Sequence, residues 1–192
     1  PFNSLFDSQV AGARWSEALN TLETGERRNQ IPADRSRRRR AVLMTALAVQ
    51  MDNVERRQAQ SMLSEAIKAA PDFPAASYHF ARHLMLAEQP RPAQSALEAA
   101  WRSRPHPALS QLSRRLESEA SPATISERLK NLANANPDHR ESRIIQAELS
   151  MLDRAWLDAV KAIALLVEEK PTARLCLLME KALRGYGDDE EA

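Results

Sequence analysis

Four histidines and one cysteine are the side chains in this 192-residue chain best suited to metal or nucleophilic chemistry. His79 and His83 stand four apart, so on a helix both imidazoles share one face and could bind a metal ion. No third ligand stands at a recognisable spacing, and partly buried packing at a helix–helix interface is the simpler account of the pair. His106 lies between Pro105 and Pro107, which stiffen the chain around it and make it a turn residue, with Pro107 opening the next helix. His139 belongs to the capping region of another helix. Cys176 lies in an apolar stretch and reads as a buried core thiol. As the single cysteine it excludes an internal disulfide framework and a multi-thiolate zinc site. Glu117 and Glu119 are two apart and point to different faces of a helix, so they are solvated charges and not an acid–base pair.

The signatures of common enzyme classes are missing too. The only glycines are Gly12, Gly25, Gly185 and Gly187, too scattered for a phosphate-cradling loop. The chain has no His-Glu-x-x-His and no Gly-x-Ser-x-Gly. It is therefore expected to be a non-enzyme with no resident cofactor or metal.

The elements that hold these residues are expected to be helical. Hydrophobic residues make up 43% of the chain and charged residues 28%, enough for a folded core without staples. Mean hydropathy is −0.50. Alanine and leucine dominate while valine and aromatics are sparse, which argues against a sheet. No apolar run reaches the roughly 18 residues of a membrane span. A net charge of +1 argues against general nucleic-acid binding. Charge is nonetheless uneven, with Arg27, Arg28, Arg35, Arg37, Arg38, Arg39 and Arg40 near one end and Asp188, Asp189, Glu190 and Glu191 at the other. These read as a solvated face and an acidic tail.

Prolines set the period. Pro71, Pro105, Pro137 and Pro171 are separated by 34, 32 and 34 residues, the length of a helical-hairpin repeat. Counting back 5, 8 and 12 places gives Ala66, Leu63 and Ala59 from Pro71, and Ala100, Leu97 and Ala93 from Pro105. Small residues flanking a large one let two helices approach and fill the groove between them. From Pro171 the same steps give Leu166, Ile163 and Ala159, and from Pro137 they give Leu132, Leu129 and Ile125, which are bulkier. Ala81 and Ala147 stand 24 places before Pro105 and Pro171, where the first helix of a unit meets its partner. Ser121 before Pro122, Asp138 before Glu141, and Thr172 are the expected N-caps. The chain is expected to be all-α, a right-handed α-solenoid of antiparallel helical hairpins of the tetratricopeptide type. Residues 1–187 form one array, with hairpins at about 2–26, 37–70, 74–103, 107–135 and 140–169 and a last helix at 172–184; residues 188–192 form the tail. Residues 27–36 are the expected irregular segment. The usual Trp, Gly and Tyr of each tetratricopeptide unit are absent.

Several stretches point to one family. Gly12-Ala13-Arg14-Trp15 leads to Ala18 and Leu22, and Pro74-Ala75-Ala76 opens a helix. Trp101-Arg102-Ser103-Arg104-Pro105-His106-Pro107 precedes Leu109, and Pro137-Asp138-His139-Arg140-Glu141-Ser142 follows. Arg174-Leu175-Cys176-Leu177-Leu178-Met179 then leads to Tyr186-Gly187-Asp188. In this order they resemble the C-terminal tetratricopeptide region of the HemY proteins of proteobacteria, over most of the chain. That resemblance implies a link to late protoheme synthesis and an inner-membrane anchor made by a preceding pair of membrane helices. It places the repeat region on the cytoplasmic side. Pro1 is not a natural start, and the anchor is expected to precede it.

The repeat frame also predicts a binding face, because the first helix of each tetratricopeptide hairpin lines the inner surface. It places Met44, Ala48 and Met51 in one unit, Tyr78, Arg82, Met85 and Leu86 in the next, and Ile144, Glu148, Met151 and Leu152 in the last. Met51, Met85 and Met151 fall at one equivalent position, and flexible thioethers suit adaptable contact with a peptide or helix. Ordinary core packing is the competing account of those methionines. The expected partner is a protein, which by the resemblance is a late haem-biosynthesis enzyme; no nucleic acid is expected. Two rivals stand beside it. Tyr78, His79 and His83 could make the chain a porphyrin or haem carrier. The Arg35–Arg40 cluster could bind anionic lipid headgroups.

Overall fold

The computed structural model describes residues 2–51 and 55–190, with side chains as far as Gly187. The acidic tail, residues 188–192, thus lies outside the described side chains. Eleven helices and no strand occur among the described residues: α1 Phe2–Ala11, α2 Trp15–Arg27, α3 Ala33–Gln50, α4 Arg56–Ala69, α5 Pro74–Leu86, α6 Pro90–Ser103, α7 Pro107–Arg114, α8 Pro122–Asn134, α9 Arg140–Leu152, α10 Trp156–Glu169 and α11 Ala173–Glu190. The fold is an all-α helical repeat. Its helices fall into two compact units, Pro1–Arg104 with α1–α6 and Pro105–Ala192 with α7–α11.

Helices adjacent in sequence pack as antiparallel neighbours within each unit, and α3 also touches α5 as α9 touches α11. The small-large-small pattern forms the seams. Ala59, Leu63, Ala66, Ala93 and Leu97 are fully buried, as are Ala159 and Ile163. Ala81 and Ala147, the small residues of the first helices, are fully buried as well. In the bulkier unit Leu129 and Leu132 fill the same places. Close approach is greatest at two glycines. A Cβ at Gly25 would lie 2.6 Å from the Phe2 ring, and one at Gly185 would lie 2.6–2.7 Å from the Trp156 indole.

Four helices end without glycine in the left-handed region, where glycine is the usual residue. Ala13, Asn29, Glu88 and Arg154 have φ of 52–57°. The N–H of each bonds three residues back, to Val10, Glu26, Met85 and Met151, and the following N–H bonds five back from its own position, to Gln9, Gly25, Leu84 and Ser150. This pair of bonds is the Schellman termination. A left-handed non-glycine residue costs about 1 kcal/mol or more. Glu88→Gly and Arg154→Gly should therefore each stabilise the fold by roughly 0.5–1 kcal/mol, read as a higher urea midpoint at unchanged slope.

The start signals are partly as expected. The Ser121 hydroxyl accepts from the Thr124 N–H at 3.1 Å, and Thr172 accepts from the Leu175 N–H at 3.4 Å. Asp138 is not the cap of α9: His139 takes that place, its Nδ1 accepting from the Glu141 N–H at 3.1 Å. His106 caps α7 in the same way, accepting from the Ala108 N–H at 3.2 Å. A ring nitrogen two residues upstream does here what a carboxylate or hydroxyl does elsewhere.

Other boundaries move. α3 begins at Ala33, so only the first part of residues 27–36 is irregular, because arginine is a good helix former and Pro32 fits immediately before the first turn. α7 stops at Arg114, and α11 continues through Gly185 and Gly187 to Glu190. Cys176 is exposed, correcting its expected burial. On α11, Leu175 and Ala182 face the core and the cysteine stands on the flank.

Candidate partner-binding face

The α5 helix carries the most open part of the predicted face. Ala76, Ser77 and Ala81 bury one side of it, and Phe80 packs against the Ala48–Ala59–Leu63 cluster. Tyr78, Arg82, Met85 and Leu86 recur at i, i+4, i+7 and i+8, so they share another side. Arg82 is exposed, Leu86 is 49% exposed, and Tyr78 and Met85 are half-buried. An exposed cation beside an aromatic, a thioether and an open leucine can hold an amphipathic segment by both apolar contact and charge.

Elsewhere the face is reduced. Met44 is buried in the Ala41–Ala66–Ala70–Ala76 cluster, and Ile144 and Met151 belong to the core of the second unit with Ile163, Leu175 and Ala182. These three are packing residues, since α4 with α5 in one unit and α10 with α11 in the other leave them no open side. Met51 is half-buried against Ala48, Ala59 and Leu63. The equivalence of Met51, Met85 and Met151 thus fixes a backbone register and not a shared exposure. Glu148 is held between two cations, Arg114 of α7 and Arg174 of α11, the latter at 3.3 Å. Arg174 also reaches Glu141 at 3.1 Å, so α7, α9 and α11 are laced together. Open apolar side chains outside the predicted binding face include Val42 and Val49, seven apart on α3, Leu5 on α1, and Leu157, Leu165, Leu177 and Leu183 on α10 and α11. Leu152, which the repeat frame places on the same face as Ile144 and Met151, is 69% exposed. The spacing of the two valines was the available signal for a second exposed stripe.

The arginine run is largely occupied internally. Arg40 pairs with Glu23 at 3.2 Å and with Glu26 at 2.5 Å, and Ser36 donates to the same Glu26 carboxylate. Burial pushes the Glu26 carboxyl up, but the hydrogen bonds from Ser36 and Arg40 outweigh it and hold it below its ordinary value. Arg39 lies over Phe6 at 4.7 Å, and Arg38 over Phe73 at 4.9 Å. Arg38, Arg39 and Arg40 thus make contacts inside the first unit, while Arg35 and Arg37 are exposed.

His79 and His83 share one side of α5, and the Tyr78 ring meets His79 edge-on at 5.2 Å. Burial pushes the His79 imidazole below its ordinary value, with Arg82 and His83 adding repulsion. Burial does the same to His83, with Arg56 and Arg82 adding to it. The unfolded chain takes up these protons near pH 6.5, the folded chain only at lower pH. Stability is thus complete above pH 6.5 and declines as pH falls through the window below it. Melting temperature should drop between pH 7 and 5, and His79→Gln/His83→Gln should flatten part of that slope.

No group of three or more His, Cys, Asp or Glu among the described residues could hold a metal ion. A cleft of about 810 Å³ between α1 and α2 is lined by apolar Phe2 and Leu5, by amides and hydroxyls such as Asn20 and Thr21, and by Arg28, with no carboxylate or imidazole. No helix among the described residues is long and apolar enough to cross a membrane.

Residues 52–116 match the tetratricopeptide-repeat family. That stretch holds α4 to α7, and with it the whole of α5. No curated protein matches the chain.

Proposed function

We propose that this tetratricopeptide-repeat chain is a non-enzymatic scaffold that holds a segment of a partner protein against α5. Tetratricopeptide repeats typically mediate protein–protein contact, and the match over 52–116 carries that class. The single observation behind the site is the open row of Tyr78, Arg82, Met85 and Leu86 on α5, inside the matched stretch. The resemblance to the HemY region supplies the partner: a late haem-biosynthesis enzyme, met at the cytoplasmic side of the bacterial inner membrane by a scaffold anchored there. Capture of purified late haem-pathway enzymes on the immobilised chain tests this. Retention of one of them is expected; no retention of any removes the haem link while leaving a generic adaptor.

A second reading has one observation in its favour. The His83 Nδ1 atom is buried without a hydrogen-bond partner, and both α5 imidazoles favour the unprotonated form that ligates iron. Titration with haemin decides between them. A saturable Soret shift lost in His79→Ala/His83→Ala supports a porphyrin carrier, and no saturable shift dismisses it.

A further inference from the structure

We propose that a second site, a basic cleft at one edge of the first unit, binds the carboxylates of an acidic peptide segment. The cleft has a volume of about 640 Å³ and draws Asp34, Arg37 and Arg38 from α3, Lys68 and Asp72 from the end of α4 and the turn after it, and Arg104 from the end of α6. Four cations face two carboxylates, a formal excess of two positive charges. None of its residues belongs to the α5 row, so it stands independently of the function proposed above.

The pairing inside the cleft shows what it can hold. Asp72 accepts from Arg38 at 2.9 Å and lies 3.7 Å from Arg104, so one carboxylate already sits between two guanidinium groups. Phe73 stacks under Arg38 and fixes it in place. Arg37 and Lys68 have no hydrogen bond or ion pair among the described residues, and both are exposed. Lys68 and Arg104 lie at helix C-termini, where the dipole accounts for a cation. Arg37 lies in the second turn of α3, beyond the reach of that helix's dipole and one turn after Asp34.

The form of that ligand follows from the rest of the lining. Ala69 and Ala70 bring the negative end of α4 into the cleft, and Asp34 adds a further negative charge. Two charges concentrated on one phosphate meet that repulsion at close quarters. Single charges spaced along an extended peptide can reach Arg37 and Lys68 separately, beside the position Asp72 holds. Asp72 is then an internal competitor, and its removal frees Arg38 and Arg104 for the ligand.

The test is fluorescence polarisation of a labelled tetraglutamate peptide with the whole chain at low salt. Saturable binding is expected, absent for tetraglutamine and weakened by added salt. Arg37→Ala/Lys68→Ala, two exposed positions, should weaken it roughly ten-fold or more with an unchanged melting curve. Asp72→Asn should tighten it by about three-fold or more. Arg35→Ala, in the same arginine run and outside the cleft, should leave it unaltered. Absence of saturable binding, or equal affinity in the Arg37/Lys68 double variant, overturns the proposal. Binding of pyrophosphate or of phosphatidylglycerol vesicles without binding of tetraglutamate overturns it in favour of a phosphate site.

Discussion

Trp101→Ala should cost the fold about 3–5 kcal/mol, the largest loss expected from any single substitution considered for this chain. Trp101 is fully buried on α6, and it is the bulkiest of the side chains with no exposed surface. Its removal takes a large buried volume out of the core, and a cavity that neighbouring side chains fill only in part adds to the lost burial. For a chain of this length the melting temperature should fall by roughly 6–20 °C. A drop of less than a degree or two would mean that Trp101 is not enclosed as described.

The second large effect is functional. Tyr78→Ala with Arg82→Ala should weaken capture of the partner ten-fold or more, because truncating an aromatic anchor and its neighbouring arginine removes the residue types that dominate binding surfaces. Neither side chain is buried in the core, so the melting temperature should change little. Undiminished capture by the double variant would move the site away from α5. Val42→Asp with Val49→Asp on α3 then becomes the informative substitution, since those valines are the other open apolar pair in the first unit.

Much of the fold was legible because its determinants are short-range. The proline period marked where second helices end, and the small residues at fixed offsets from those prolines are the ones now found without exposure. Ser121 and Thr172 announced themselves as caps by residue type. His106 and His139 did not, since capping by imidazole depends on ring orientation that no spacing reveals. The left-handed turns at Ala13, Glu88 and Arg154 were invisible for a related reason: their signature residue is glycine, and here backbone hydrogen bonds hold the conformation without it.

The candidate site was legible only in register. The repeat frame aligned Met44 with Tyr78, and Met151 with Met85, but exposure depends on the side chains that the neighbouring helices bring against each position. Met151 packs into the core of the second unit while Met85 stays half-buried beside the open Arg82 and Leu86, although α5 and α9 each pack against three helices of their own unit. Likewise, five nearly consecutive arginines read as one charged surface. Three of them reach Glu26, Phe6 and Phe73 on neighbouring elements, and it takes those elements to show it.

The close approach of the Trp156 indole to Gly185 has an optical consequence. The ring of α10 rests on bare backbone of α11, so any loosening of that last helix opens the indole to water before the rest of the second unit is disturbed. With Trp15 and Trp101 changed to phenylalanine, the emission maximum of the remaining tryptophan becomes a continuous gauge of how firmly α11 is seated. A red shift with undiminished helical ellipticity would mark its release, and the same signal would register any molecule that settles against α11.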